Sequence, residues 1–433
     1  MDSLYSSRSF PQEADPRGEK SPAAAYIHIP FCRRRCFYCD FPIAVVGDKP
    51  PTGTGDRING SNSGTIAQYV EVLRQEIRQS PSWGTPLQTV FLGGGTPSLL
   101  SVAQLEAILA ELKRQFGIAS NAEISMEIDP ATFDLAQVQG YKAAGVNRVS
   151  LGVQAFQAEL LQAAGRSHTV NDILVAVDLL HGAGFTNISL DLISGLPYQT
   201  LTQWKESLRR AIDLSPTHIS CYDLIVEAGT PFSRQYSPGL KPLPSDELTA
   251  EMYRMAQSLL TTHGFEHYEI SNYAKLGYQC RHNRVYWENH PFYGFGMGAT
   301  SYLNGDRFAR PRKTWEYYAW VQAAVDGRPR AGEPRATGTR GQADLAEQLM
   351  LGLRLAEGVA VADLHDRFGA AAIARLWHCL QPYVQTGWVT IVPEPATDSN
   401  PTTGRLKLSD PEGFLFSNVV LTAIFEAFEA DED

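Results

Sequence analysis

The chain has 433 residues, 43% of them hydrophobic, and a formal net charge of −10. No stretch reaches the roughly 18 uninterrupted apolar residues of a membrane-spanning helix, so direct membrane insertion of that kind is not expected. The acidic balance argues against a nucleic-acid partner, and six cysteines are too few for a disulfide scaffold.

Residues 1–22 are polar and lack an apolar signal core; they read as a disordered lead-in, with the cytoplasm as the expected compartment. β-rich runs follow at 24–29, 89–92, 123–128, 148–153, 187–193 and 218–224. Helices are predicted between them. "IAQYVEVLRQEIRQ" places Ile66, Tyr69, Val70, Leu73 and Ile77 on one face, and Ser101 is a plausible N-cap for the helix after it. "LAQVQGYKAAG" and "TVNDILVAVDLLHGAG" end on glycines, as helix C-termini often do. Residues 46–65, "VGDKPPTGTGDRINGSNSGT", have no periodicity and read as a mobile insertion.

Six strand–helix units in succession imply an α/β fold with a parallel sheet and right-handed crossovers. Six is two short of a closed eight-unit barrel, so residues 23–245 are predicted to form a partial (β/α)6 TIM-like barrel, active at its C-terminal strand ends. Residues 246–312 are an aromatic- and glycine-rich extension. Residues 313–433 suggest a small C-terminal α+β domain of winged-helix type, ending in an acidic tail.

The chemistry is concentrated in "CRRRCFYCDF", residues 32–41, where Cys32, Cys36 and Cys39 stand at spacing C-x3-C-x2-C. A zinc ribbon needs a second ligand pair, which is missing, and iron–sulfur clusters normally take four thiolates. Three unrelated cysteines in a loop is the plain alternative. The reading that uses all three is a cubane held at three irons, with the fourth iron open to a ligand. The run directly follows the first strand, at the functional end of the barrel.

That spacing after the first strand of a partial barrel resembles the radical S-adenosylmethionine (SAM) superfamily. The resemblance implies a [4Fe-4S] cluster whose open iron takes the amino and carboxylate groups of SAM, and whose electron cleaves the S–C5′ bond. It also implies roles for residues at other strand ends. Gly94, Gly95 and Thr96 in "LGGGTPSLL" resemble the strand that holds the SAM amino group, with Glu127 in support. Gln154 and Asp191 would face the ribose hydroxyls, Arg166 the carboxylate, and Tyr26 and Tyr38 the adenine and cluster. His168 would shape the same pocket.

"YIHIPFC", "GGGTPSLL", "SLGVQAF", "DLISGLP" and "ISCYDLIVEAGTPF" together resemble the oxygen-independent coproporphyrinogen III oxidase family, from about Ala24 to Phe428. The oxidase branch has a further cysteine where this chain has Phe41, and a longer N-terminal segment. The haem-chaperone branch has Phe there and an H-N-x-x-Y-W motif, matched by His282, Asn283, Tyr286 and Trp287. Those four become haem-binding candidates, since imidazole ligates haem iron and aromatic rings lie against porphyrins. Cys280 and His290 are weaker candidates, Thr300 stands where the family often has His, and Arg33–Arg35 could meet propionates. The resemblance implies haem as cargo and apo-haemoproteins, including membrane respiratory enzymes, as recipients. The alternatives are coproporphyrinogen III decarboxylation, which Phe41 disfavours, another radical SAM reaction, or a structural metal protein.

Overall fold

The computed structural model describes residues 21–47, 66–328, 330, 345–393 and 403–429. Most of the lead-in (1–20), most of the insertion (48–65) and the acidic end (430–433) lie outside the described residues.

Strand β1 (Ala24–Ile29) is followed by two short strands, β2 (Phe31–Cys32) and β3 (Ala44–Val45), and helix α1 (Ile66–Gln79). Then come β4 (Leu87–Gly94), α2 (Val102–Phe116), β5 (Ile118–Ile128), α3 (Leu135–Ala143) and β6 (Arg148–Gln154). The pattern continues through α4 (Ala158–Ala163), α5 (Val170–Gly182), β7 (Ile188–Ser194), α6 (Leu201–Asp213) and β8 (His218–Asp223). The strands β1, β4, β5, β6, β7 and β8 pair in that order, all parallel. The six-unit barrel reading and the resemblance agree with this arrangement.

Local sequence accounts for these elements. The expected face of α1 is buried, together with Glu76. Ser101 closes a capping box with Gln104, satisfying two backbone donors at the start of α2. Gly145 and Gly184 take positive φ just past α3 and α5, where a side chain would be strained.

After α7 (Pro231–Gln235) and α8 (Asp246–Thr262), part of the chain joins the sheet. Strands β9 (Glu266–Glu269) and β10 (Asn272–Ala274) add antiparallel beyond β8, and after α9 (Arg281–Trp287) β11 (Tyr293–Phe295) adds parallel beside β1. Both barrel edges, which would otherwise present unpaired backbone groups, are covered. Buried Glu76 fastens this addition, accepting from Gly296 N at 2.8 Å, Tyr317 Oη at 2.7 Å and Arg310 Nε at 2.8 Å. A hairpin of β12 (Thr300–Leu303) and β13 (Asp306–Ala309) leads to α10 (Thr314–Val325).

The C-terminal unit combines α11 (Leu345–Gly352), β14 (Val359–Ala360), α12 (Val361–Gln385), β15 (Val389–Val392), β16 (Arg405–Leu408), α13 (Glu412–Leu415) and α14 (Ser417–Glu429). Its three strands form an antiparallel sheet, and its core, built on Leu349, Leu376, Leu380, Ile391 and Ile424, takes in Tyr253 of α8. Among the described residues, no helix is long and apolar enough to cross a membrane.

Candidate functional site

The cysteine loop is stapled at its stem and twice along its length. β2 and β3 pair parallel, aligning Cys32 with Val45, and Val46 N donates to Cys32 O at 2.8 Å. Phe37 N donates to Ala164 O at 3.0 Å, and Phe232 N donates to Phe37 O at 3.0 Å. The loop is thereby held over the C-terminal strand ends, where it walls a cavity of about 440 Å³.

Cys32, Cys36, Cys39, Tyr38, Gly94, Gly95, Thr96, Glu127, Gln154, Arg166 and Asp191 all line this cavity. They come from the cysteine loop, from β4, β5, β6 and β7 at or near their C-terminal ends, and, for Arg166, from the turn after α4. Burial pushes the Cys32 thiol up to about 12 and raises Cys39 as well. Iron would reverse that, because a bound cation deprotonates a coordinating thiol. Among the described residues, no three His, Cys, Asp or Glu side chains converge on one metal ion. A cubane takes each thiolate at a different iron, so the cysteine set fits a cluster and not a mononuclear centre.

The glycines of β4 make room that a side chain would fill. Gly94 has φ +109°, and a Cβ there would stand 2.4 Å from the His28 ring. A Cβ on Gly95 would stand 2.7 Å from the Phe31 carbonyl oxygen. The Gly94 N–H donates to Glu127 Oε2 at 2.9 Å. Burial pushes the Glu127 carboxyl up to about 8 in spite of that bond. Asp191 accepts from Ser150 Oγ at 3.0 and 2.9 Å and from Ser189 Oγ at 3.2 Å, and burial raises its pKa too. Gln154 has φ +67° at a register shift between β6 and β7. Such backbone strain costs of order 1–3 kcal/mol and clusters at functional positions.

Asp129 was missed by the sequence reading and organises the cysteine end of the cavity. Its Oδ2 accepts from Thr96 Oγ1 at 3.0 Å, and its Oδ1 pairs with Arg166. Arg166 also donates to Gly152 O at 3.0 Å and to Cys36 Sγ at 3.3 Å. The signal was present in "SMEIDP": Asp129 sits two residues beyond Glu127, at the same strand end. His168 stands behind Arg166, its Nε2 bonded to Val153 O at 3.2 Å and its pKa lowered by burial to about 4.

Two groups of expected residues lie elsewhere. Tyr26 does not reach the cysteine cavity; its hydroxyl is 3.1 Å from His28 Nδ1, and it lines a second chamber of about 190 Å³. His282, Asn283 and Tyr286 line that same chamber. His282 is buried with both ring nitrogens engaged, Nδ1 to Thr89 Oγ1 and Nε2 to Tyr286 Oη, each at 2.8 Å. Both nitrogens are thus engaged within the fold, by Thr89 and Tyr286. Trp287 lines neither chamber and lies under the Arg354 guanidinium of the C-terminal unit, 4.4 Å from ring centre to carbon. Cys280 and His290 are buried, and Thr300 pairs with Ala309 in the hairpin. The motif closes the barrel floor and joins it to the C-terminal unit. Glu123, also missed, fixes it by accepting from Arg281 N and His282 N at 3.2 Å each.

Residues 26–211 match the Radical SAM superfamily, and residues 341–393 match the HemN C-terminal domain. The chain is 47% identical over 417 residues to a heme chaperone HemW from Synechocystis sp., covering 95% of this chain and 98% of that protein. It is 36% identical over 349 residues to a heme chaperone HemW from Bacillus subtilis, covering 80% and 87%. The fold resembles the solved structure of coproporphyrinogen III oxidase (HemN) from Escherichia coli, with TM-score 0.73 at 20% identity over 96% of this chain and 91% of that one.

Proposed function

Since this chain belongs to the HemW family within the radical SAM superfamily, we propose that it is a haem chaperone, binding haem and passing it to apo-haemoproteins. Membership of the superfamily implies a [4Fe-4S] cluster and SAM. Cys32, Cys36 and Cys39 would hold the cluster. Gly94, Gly95, Thr96, Glu127, Gln154, Arg166 and Asp191, with Tyr38 beside the cluster, would hold SAM. When bound, the pair supplies one-electron reduction of the sulfonium.

The protein's own contribution is positional. Asp129 fixes the Arg166 fork where a carboxylate would be received. Gly94 and Gly95 let β4 pass close to His28 and Phe31 at the cavity wall, and Asp191, oriented by two serines, presents acceptors to hydroxyls.

The observation that carries the chaperone reading is Phe41. It is 51% exposed and lines the cavity at the place where the oxidase branch has a cysteine. Tyr222 and Ile225, 43% and 68% exposed, line the same cavity with Arg33 and Arg34. An apolar rim beside two guanidinium groups suits a flat apolar ring with carboxylates at its edge. The recipients proposed are membrane respiratory enzymes.

The test is to titrate anaerobically reconstituted protein with haem and, in parallel, to supply coproporphyrinogen III, SAM and a reductant. Haem binding without protoporphyrinogen formation is expected. Sustained turnover would replace this reading with the oxidase.

A further inference from the structure

We infer that the barrel contains a second binding site, the 190 Å³ chamber on its floor side, which takes a short-chain carboxylate on Arg148. The chamber adjoins the cysteine cavity and shares Phe41, Glu127, Ser150, Asp191 and Tyr222 with its lining. Arg148 is the first residue of β6, and strand alternation points it, like Ser150, into the barrel.

Arg148 is only 2% exposed. Among the described residues it makes no salt bridge or hydrogen bond, and its buried Nε has no partner. Glu123 and Asp191 lie near enough to favour its charge, but neither bonds it, so a guanidinium removed from water keeps donors to offer a partner. Nearby carboxylates are already engaged. Glu123 accepts from the backbone of Arg281 and His282, and Asp191 from Ser150 and Ser189. A planar fork of donors matches a carboxylate.

The remaining lining sets the size and nature of the rest of the ligand. Asn283 and Ser220 add polar groups to the wall. Tyr26 and Phe91, stacked with ring centres 6.2 Å apart, make an apolar side against which a short alkyl stem fits. The volume suits a few carbons and excludes a porphyrin. A free short-chain acid, or the propionate arm of a larger molecule seated at the mouth, would present the same chemistry. The inference rests on Arg148 and its surroundings and not on the SAM or haem reading.

Calorimetric titration of the reconstituted full-length protein with propionate, SAM present, tests it. One saturable site is expected in wild type, and Arg148→Gln should weaken it at least tenfold while SAM affinity changes less than twofold. Absence of propionate binding to wild type, or equal binding to both proteins, would overturn the site. If Arg148→Gln fails to fold by circular dichroism, Asn283→Asp carries the test, because a third carboxylate in the lining, beside Glu127 and Asp191, should compete with the probe for Arg148. Undiminished binding to that variant also overturns the site. Competition by haem but not by haem dimethyl ester would assign the carboxylate to a propionate arm. Competition by both or by neither would assign it to a free acid.

Discussion

Thr89 on β4 and His282 on α9, 193 residues apart in sequence, meet through a 2.8 Å hydrogen bond inside the barrel. The same imidazole bonds Tyr286 one turn later in α9 and lies over Phe91 with ring centres 5.3 Å apart. Burial lowers its pKa to about 3, so the ring is neutral, donating through one nitrogen and accepting through the other. A residue held in this way ties the floor helix to the sheet.

Removing that ring leaves two buried hydroxyls short of a partner, at roughly 1–3 kcal/mol each. His282→Ala is therefore expected to lower the thermal midpoint clearly while haem affinity is retained. Loss of haem binding with an unchanged midpoint would assign His282 as the iron ligand.

The Asp129–Arg166 pair gives a second expectation. Asp129→Asn keeps the shape but removes the charge that fixes the guanidinium beside Cys36. SAM affinity should fall by about 1.5–3 kcal/mol, the usual worth of a charge-assisted hydrogen bond. Titration calorimetry on cluster-loaded protein measures it, and unchanged affinity would remove Asp129 from the site.

Glu127 sets a pH dependence. Its folded-state pKa is raised by burial from 4.5 to about 8, so the fold favours the protonated form. The unfolded chain ionises from about pH 4.5, and stability is lost as pH rises through the window up to about 8. Denaturant midpoints of cluster-free wild type should fall across that window relative to Glu127→Gln. A constant difference between the two proteins would mean that Glu127 is ionised in the fold.

The three clustered thiols predict the metal content. Anaerobic reconstitution should give iron and sulfide in the ratio of a [4Fe-4S] cluster, with the Cys32→Ala, Cys36→Ala, Cys39→Ala triple variant losing it. Iron and sulfide assays with Mössbauer spectra decide this. Four irons kept by the triple variant would move the cluster elsewhere.

Gly94→Ala meets two penalties, a positive φ and the His28 ring at 2.4 Å. Gly47→Ala meets only the first, since nothing among the described residues lies within 4 Å of its Cβ position. The Gly47 variant should lose roughly 1–2 kcal/mol, and the Gly94 variant more than that, with weakened SAM binding. Equal losses in denaturant titrations would show that the β4 turn yields to a side chain.

The repeating strand–helix pattern and the C-x3-C-x2-C spacing were legible because both are local. Hydrophobic periodicity reports which face of a segment is buried, and three thiols within eight residues must lie close together in any fold. The same strand-end logic nominated Glu127, Gln154, Arg166 and Asp191, all of which line one cavity. Three matters escaped it because they depend on distant partners. Asp129 acquires its place from Arg166 and Thr96, 37 and 33 residues away. Glu76 reads as a solvated helix residue until Arg310 and Tyr317 arrive from the far end of the chain to surround it. His282 reads as a ligand because a histidine's sequence does not say what its two nitrogens will meet; Thr89 and Tyr286 decide that only when α9 docks beneath the sheet. Sequence by itself determined which chemistry was available along each strand. Tertiary packing decided which polar groups were left for a ligand, because a buried donor or acceptor takes the partner that the fold brings to it.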